Sequence, residues 1–128
     1  MDHTALMRRY YAAYNSGDET TLSPLLADDV VLVSAAGEQR GREAYLATYR
    51  WMIGSFIDRM TPERIVATPD GAPDEVVVDI DDRLTARADI ADFLGRPVRA
   101  GETMTLTLSG RYIIQNGRIT RIEITPRT

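Results

Sequence analysis

The residue of this sequence with the clearest chemical potential is Asp82, because it shares a predicted strand face with apolar residues. In the strand predicted from Val76 to Ala88, the residues of that face are Val76, Val78, Ile80, Asp82, Leu84 and Ala86. Side chains alternate between the two faces of a strand, so Asp82 is predicted to be buried. A buried carboxyl has a raised pKa or an ionic partner, and it could serve as a general acid or base. The alternative is a β-bulge at Asp81 and Asp82 that turns Asp82 to solvent, and the rarity of buried acids favours that alternative.

The side chains present restrict the other chemistry that the chain could perform. It has 128 residues, no cysteine, one histidine (His3) and fifteen basic residues, all of them arginine. This composition excludes thiolate sites, cysteine nucleophiles and lysine Schiff bases, and it argues against Ser-His-Asp triads and histidine-rich zinc sites. Proton transfer, polarisation of a carbonyl and activation of water stay open, and we expect neither a metal nor a cofactor.

Charge and hydropathy restrict the partners and the compartment. The net charge is −4 and the arginines are scattered, which does not resemble a nucleic-acid-binding surface. No apolar run is long enough to span a membrane, and the N-terminus lacks the pattern of a signal peptide. We therefore expect one cytoplasmic domain over residues 1–128 that binds neither nucleic acid nor membranes.

Hydrophobic periodicity predicts helices first and strands afterwards. Helices are predicted over 4–16 and 42–58, with a short helix between them that Asp18 caps or that restarts at Ser23-Pro24. Strands are predicted over 29–35, 64–68, 76–88, 104–114 and 119–125, with a turn at 37–41 and an irregular stretch at 89–101. The last two predicted strands are joined at Asn116-Gly117, a typical hairpin turn. This order predicts an α+β domain with helices against one face of a mostly antiparallel sheet.

Several segments resemble one known superfamily. The stretch from Met7 to Asp18 resembles the opening helix of the nuclear transport factor 2-like superfamily, as does Leu25 to Val30. The stretches from Asp92 to Glu102 and from Tyr112 to Ile119 are similar to its SnoaL-like, polyketide-cyclase-related branch. The resemblance implies a cone-shaped curved sheet wrapped around three N-terminal helices, with a deep and mostly apolar pocket. It indicates the activity only weakly, because this fold carries many functions.

The resemblance assigns a role to two tyrosines. In the steroid-isomerase branch, a tyrosine on the first helix donates a hydrogen bond to the substrate oxyanion, and Tyr10 matches it. A second tyrosine on the third helix supports that hydroxyl, and Tyr49 is at the matching place. The alternative is that both are ordinary core residues of amphipathic helices.

Other catalytic residues of the relatives are absent here. Ser34 stands where the isomerase has its base, and Gly110 stands where it has its second oxyanion donor. In the epoxide-hydrolase branch, an Asp–Arg–Asp arrangement activates water. Arg83 can be placed on that arginine only if its strand face looks inward, and Thr85 and Ile124 then replace the aspartates. Neither mechanism carries over, and at most one of Asp82 and Arg83 can face the pocket.

These observations lead to one site hypothesis with two functional outcomes. We expect Tyr10 and Asp82 as catalytic residues. The other predicted pocket residues are Tyr14, Ser34, Tyr49, Trp51, Leu106, Leu108, Gly110, Tyr112, Ile122 and Ile124. The ligand would be a compact apolar molecule with one polar group. The protein would be a cofactor-independent isomerase, cyclase, dehydratase or hydrolase, or else a non-catalytic binding or structural member that lost the acids.

The two faces of the strand predicted over 104–114 give two further expectations, one for the pocket and one for the assembly. Gly110 is expected to leave a gap in the inward row of its strand, and the pocket would occupy that gap. The opposite face, with Thr103, Thr105, Thr107, Ser109 and Arg111, is expected to form a homodimer.

Overall fold

The computed structural model describes residues 2–127, so the two terminal residues of the predicted 1–128 domain lie outside it. Three α-helices and eight strands form the fold. The helices are α1 (His3–Ser16), α2 (Glu19–Leu22) and α3 (Arg42–Ser55). The strands are β1 (Leu26–Ser34), β2 (Gly37–Arg40), β3 (Phe56–Ala67), β4 (Glu75–Ala86), β5 (Ile90–Phe93), β6 (Arg96–Val98), β7 (Thr103–Gln115) and β8 (Arg118–Pro126).

Six strands form one curved, open sheet in the order β2-β1-β8-β7-β4-β3. All neighbouring pairs are antiparallel except β1 with β8, which is parallel. The strands β5 and β6 form a separate hairpin. The predicted α+β class and mostly antiparallel sheet are confirmed.

The local signals at the two N-terminal helices act as predicted. The Asp2 side chain caps α1 by accepting a hydrogen bond from the Ala5 N–H at 2.7 Å, and Gly17 ends the helix with a left-handed conformation at φ 70°. Asp18 caps α2 through the Thr21 N–H at 3.1 Å. Ser23-Pro24 does restart the chain, as a single 3₁₀ turn over Ser23–Leu25.

The prediction for the third helix and the strand after it is wrong. Helix α3 ends at Ser55 rather than at residue 58, and β3 begins at Phe56 and runs through Pro62 to Ala67, whereas the sequence predicted a strand only over 64–68. Pro62 is tolerated because β3 is an edge strand with a register shift between Pro62 and Arg64. This error placed residues 56–58 on a helix, although they belong to the sheet.

Two shorter segments also differ from the prediction. The predicted turn at 37–41 contains β2, and the stretch predicted as irregular at 89–101 contains the β5–β6 hairpin. The hairpin packs on the domain through Val98, Ile90 and Phe93, which join a small core cluster with Phe56 and Leu84.

The main core lies between the helices and the inward face of the sheet. It joins Leu6 and Tyr10 of α1, Tyr49 of α3, and Tyr112 and Ile114 of β7. The helices therefore cover the sheet at its middle strands, and the side chains of β4 and β7 that point inward meet α1. None of the helices within residues 2–127 has the length and apolar character needed to cross a membrane.

Candidate active site

A cavity of about 390 Å³ lies between the sheet and the helices. This volume is within the ordinary range for small-molecule sites. Most of its wall is apolar. The titratable groups on the wall are Asp82, Arg127 and five tyrosines, namely Tyr10, Tyr14, Tyr45, Tyr49 and Tyr112.

Asp82 points inward and reaches this cavity. Its strand pairs without interruption to β7, so Asp82 lies opposite Leu106, and Met60 of β3 lies opposite it on the other side. The bulge considered at Asp81 and Asp82 does not occur. Asp82 is 3% exposed, whereas the neighbouring Arg83 is exposed on the opposite face. Placing Arg83 on an inward-facing site is therefore wrong.

A second buried carboxyl, which the sequence reasoning missed, accompanies Asp82. Asp58 of β3 is 7% exposed and lies diagonally across the ladder, since it pairs with Leu84 rather than with residue 82. The Tyr14 hydroxyl donates to Asp58 Oδ2 at 2.8 Å. A local signal existed, because Phe56, Asp58 and Met60 alternate with the exposed Ile57 and Arg59. The apolar stripe of α3 concealed it by continuing into Phe56.

The surroundings of Asp82 favour its protonated form. Burial is the largest cause, followed by the hydrogen bond to Asp58 and the negative charge of Asp58, and together they raise the pKa of Asp82 well above its usual value of 3.8. No arginine among residues 2–127 is within salt-bridge distance of either carboxyl. The partner of this buried acid is thus another carboxyl rather than a cation.

Four of the buried tyrosines form two hydroxyl–hydroxyl pairs, one between α1 and α3 and one between α1 and β7. The Tyr10 hydroxyl is hydrogen-bonded to the Tyr45 hydroxyl, and the Tyr11 hydroxyl to the Tyr112 hydroxyl at 2.6 Å. Tyr49 instead donates to the Tyr14 carbonyl oxygen at 3.2 Å. The assignment of Tyr49 as the support of Tyr10 is therefore wrong, and Tyr45, one helical turn earlier, has that position.

The cavity wall brings together all but two of the predicted site residues. The predicted residues on it are Tyr10, Tyr14, Ser34, Tyr49, Asp82, Leu106, Leu108, Tyr112, Ile122 and Ile124. Gly110 is not on the wall, because the Tyr112 ring and Ile80 fill the space beside it: a Cβ atom there would be 2.8 Å from Tyr112 Cε1. The expected gap does not exist.

Trp51 also lies outside the cavity. It is 48% exposed and lines an adjoining surface groove, where it stacks on Phe93 with ring centroids 6.3 Å apart. Phe93 and Leu94 of the hairpin contribute to both the groove and the cavity wall. The hairpin therefore borders the cavity, a feature that the irregular composition of 89–101 did not predict.

The open curved sheet, the helices on its inward face and the apolar cavity between them define the nuclear transport factor 2-like class of folds. Within that class, the chain belongs to the SnoaL-like domain family, which matches residues 7–122. No functionally curated protein matches the chain significantly in sequence.

Solved structures agree with this assignment. A proposed polyketide cyclase from Pseudomonas putida is 26% identical, with 99% of this chain and 92% of that chain covered and a TM-score of 0.80. IdmH, a proposed polyketide cyclase from Streptomyces antibioticus, is also 26% identical, with 95% and 89% covered and a TM-score of 0.74. An epoxide hydrolase from M. tuberculosis shares the fold at 20% identity, with 96% and 80% covered and a TM-score of 0.74.

Proposed function

We propose that the protein is an enzyme that catalyses proton transfer on a compact, largely apolar carbonyl compound bound in this cavity. The observation that carries the proposal is the position of Asp82, a buried acid on the wall of an apolar cavity that Tyr10 also lines. Isomerases, cyclases and dehydratases acting on such compounds share enolisation as a step. The proposal therefore concerns that step rather than one overall reaction.

The roles follow from the state of each group. Asp82 is held protonated, so it acts as a general acid and gives its proton to the carbonyl oxygen as the enol forms. The Tyr10–Tyr45 pair shares one hydrogen bond between two hydroxyl groups, which leaves a second hydroxyl proton for the same oxygen. The proton on the α-carbon passes to water, and Asp82 regains a proton from solvent.

The polarity and the charges of the cavity wall indicate the class of ligand. Its apolar area suits a hydrocarbon skeleton, and its acids and phenols suit one neutral oxygen. Arg127 is the cation on the wall, and it is already held by Asp81 at 2.8 Å and by Asp79 at 3.6 Å. A carboxylate on the ligand would lose its hydration and meet a guanidinium whose charge these two aspartates already balance, so neutral ligands are favoured.

The test is the exchange of α-hydrogens of β-tetralone, a compact bicyclic ketone, for deuterium in D₂O, followed by NMR. The wild-type protein should accelerate exchange, and Asp82→Asn should slow the catalysed rate by about 100-fold or more. Asp29→Asn is the control, because it removes an exposed carboxylate of β1 that does not line the cavity, and it should exchange at the wild-type rate. Binding of the ketone without acceleration would contradict catalysis and support the alternative, a ligand-binding protein that lacks chemistry.

Tyr10→Phe tests the second donor in the same assay. It should reduce the catalysed exchange rate by about 10- to 100-fold, below the full effect of an oxyanion-hole donor because the Tyr45 hydroxyl stays in the site. Tyr11→Phe removes a neighbouring buried hydroxyl that is bonded to Tyr112 and does not line the cavity. An equal loss in both variants would mean that packing, not the Tyr10 hydroxyl, sets the rate.

A further inference from the structure

Two buried carboxyls in contact without a cation need an explanation. Asp58 and Asp82 extend from adjacent strands, and Oδ1 of each is buried without a hydrogen-bond partner. Two carboxylates cannot both accept from each other, and an unpartnered buried oxygen is costly. One proton held between the two carboxyls supplies the missing donor and removes the repulsion at the same time.

The position of Tyr14 distinguishes the two carboxyls. Its hydroxyl donates to Asp58 Oδ2 at 2.8 Å. Asp58 does not line the cavity, whereas Asp82 does. Asp58 thus already has a donor for one of its oxygens, which favours placing the shared proton on Asp82, the carboxyl that faces the ligand.

We propose that Asp58 is a positioning residue that shares one proton with Asp82 and thereby keeps Asp82 in its acid form at neutral pH. This inference rests on the proposed function only in naming Asp82 as the catalytic acid. The shared proton itself is a property of the free protein and can be measured without a substrate.

The other titratable groups around the pair do not compete for this proton. The titratable groups of the core around the pair are phenols from three elements: Tyr10, Tyr11 and Tyr14 of α1, Tyr45 and Tyr49 of α3, and Tyr112 of β7. Burial raises the pKa of every one of them above its usual value, so they stay neutral in the physiological range. Arg59 and Arg83, the cations adjacent in sequence, are exposed on the opposite face.

Infrared spectroscopy in D₂O tests the shared proton, because a protonated carboxyl absorbs apart from ionised carboxylates. At neutral pH the wild-type protein should show one carboxylic-acid band that disappears only in the alkaline range, and Asp82→Asn should lack it. In Asp58→Asn the like charge is gone and the amide can donate to Asp82, so the band should disappear at least one pH unit lower. Asp29→Asn, which removes an exposed carboxylate away from the cavity, should titrate like the wild type.

Two results would overturn the inference. A wild-type protein without an acid band at neutral pH excludes the shared proton, even if Asp58→Asn fails to fold. An Asp58→Asn band that titrates as in the wild type would show that burial alone protonates Asp82. In the ketone assay, the wild-type protein should lose catalysed exchange at alkaline pH, and Asp58→Asn should lose it at a lower pH. An acid band without any exchange would reject the proposed function and leave the proton pair intact.

Discussion

At the scale of single residues, a protonated Asp82 makes stability depend on pH in the opposite direction to a salt-bridged carboxylate. Burial and the neighbouring Asp58 raise the pKa of Asp82 in the folded protein, while in the unfolded chain it returns to about 3.8. Above that value the unfolded state loses this proton and the folded state keeps it. The contribution of Asp82 is therefore complete below about pH 4 and declines as the pH rises towards the folded pKa.

The comparison of wild type with Asp82→Asn isolates this contribution. The free energy of unfolding of the variant, minus that of the wild type, should increase as the pH rises from 5 to 8, by at most about 1.4 kcal/mol per pH unit. Urea unfolding at several pH values measures it. A difference that is constant over this range would show that Asp82 is ionised in the folded protein.

Gly110 gives a second prediction at this scale, because it is where a predicted gap turned out to be filled. A Cβ there would approach Tyr112 Cε1 to 2.8 Å and Ile80 Cδ1 to 3.1 Å. Gly110→Ala should therefore destabilise the protein by about 1–3 kcal/mol through overpacking. Gly54→Ala is the matched control, because its Cβ meets nothing within 4 Å and lies in α3, and it should be neutral or stabilising. Urea unfolding measures the stability of both variants. If Gly110→Ala were as stable as the wild type, the Tyr112 ring would have to move aside without cost.

At the scale of elements, Asn15 joins α1 to the edge strand that carries Asp58. Its Nδ2 donates to the Met60 carbonyl oxygen at 2.7 Å, and the Met60 N–H donates to its Oδ1 at 2.8 Å. The side chain thus replaces the missing neighbour strand of β3. Asn15→Ala should lower the free energy of unfolding by about 1–2 kcal/mol, whereas Ser16→Ala, which loses one 3.3 Å bond, should change it by less than about 0.5 kcal/mol. Equal losses in the two variants would assign the effect to the helix terminus.

Some of the elements could be predicted from the sequence and others could not. Regular alternation made β4 and β7 predictable. It also indicated an inward Asp82, although the rarity of buried acids favoured a bulge that does not occur. The boundary of α3 was hard to predict, because the apolar stripe through Tyr45 and Tyr49 continues in register past Gly54 to Phe56. The strand that contains Asp58 runs through Pro62, which is tolerated only because β3 is at the sheet edge. That position is a tertiary property.

The site itself was predictable only in part, for the same reason. The sequence indicates which faces look inward, so most of the predicted cavity residues do line one cavity. Contacts between faces depend on side-chain packing, so no pattern in the sequence distinguishes Tyr45 from Tyr49 as the partner of Tyr10. Packing likewise decides that Tyr112 covers Gly110. Asp58 and Asp82 meet only because β3 pairs in register with β4. The pair was therefore not predicted, because the sequence placed Asp58 on a helix.

At the scale of the whole molecule, the outward face of β7 is the surface on which we expect a second copy to dock. Thr103, Thr105 and Thr107 are exposed there, and β7 lies inside the sheet between β4 and β8, so the face is broad and continuous. Short threonine side chains allow two sheets to approach closely. The charges around this strip are largely paired internally, as in Arg111 with Glu75, which lowers the cost of covering it. We therefore predict a homodimer with two-fold symmetry.

Sedimentation of the wild type and of two arginine variants tests the dimer. The wild type should sediment at micromolar concentration with twice the chain mass of 14.3 kDa. Thr105→Arg should produce monomers, because Thr105 lies opposite Arg83 on β4 and two-fold symmetry brings several arginines together at the contact. Thr20→Arg adds the same side chain at an exposed position of α2, away from the sheet, and should stay dimeric. A wild-type monomer would remove the interface altogether, and dissociation of both variants would point to net charge rather than to this face.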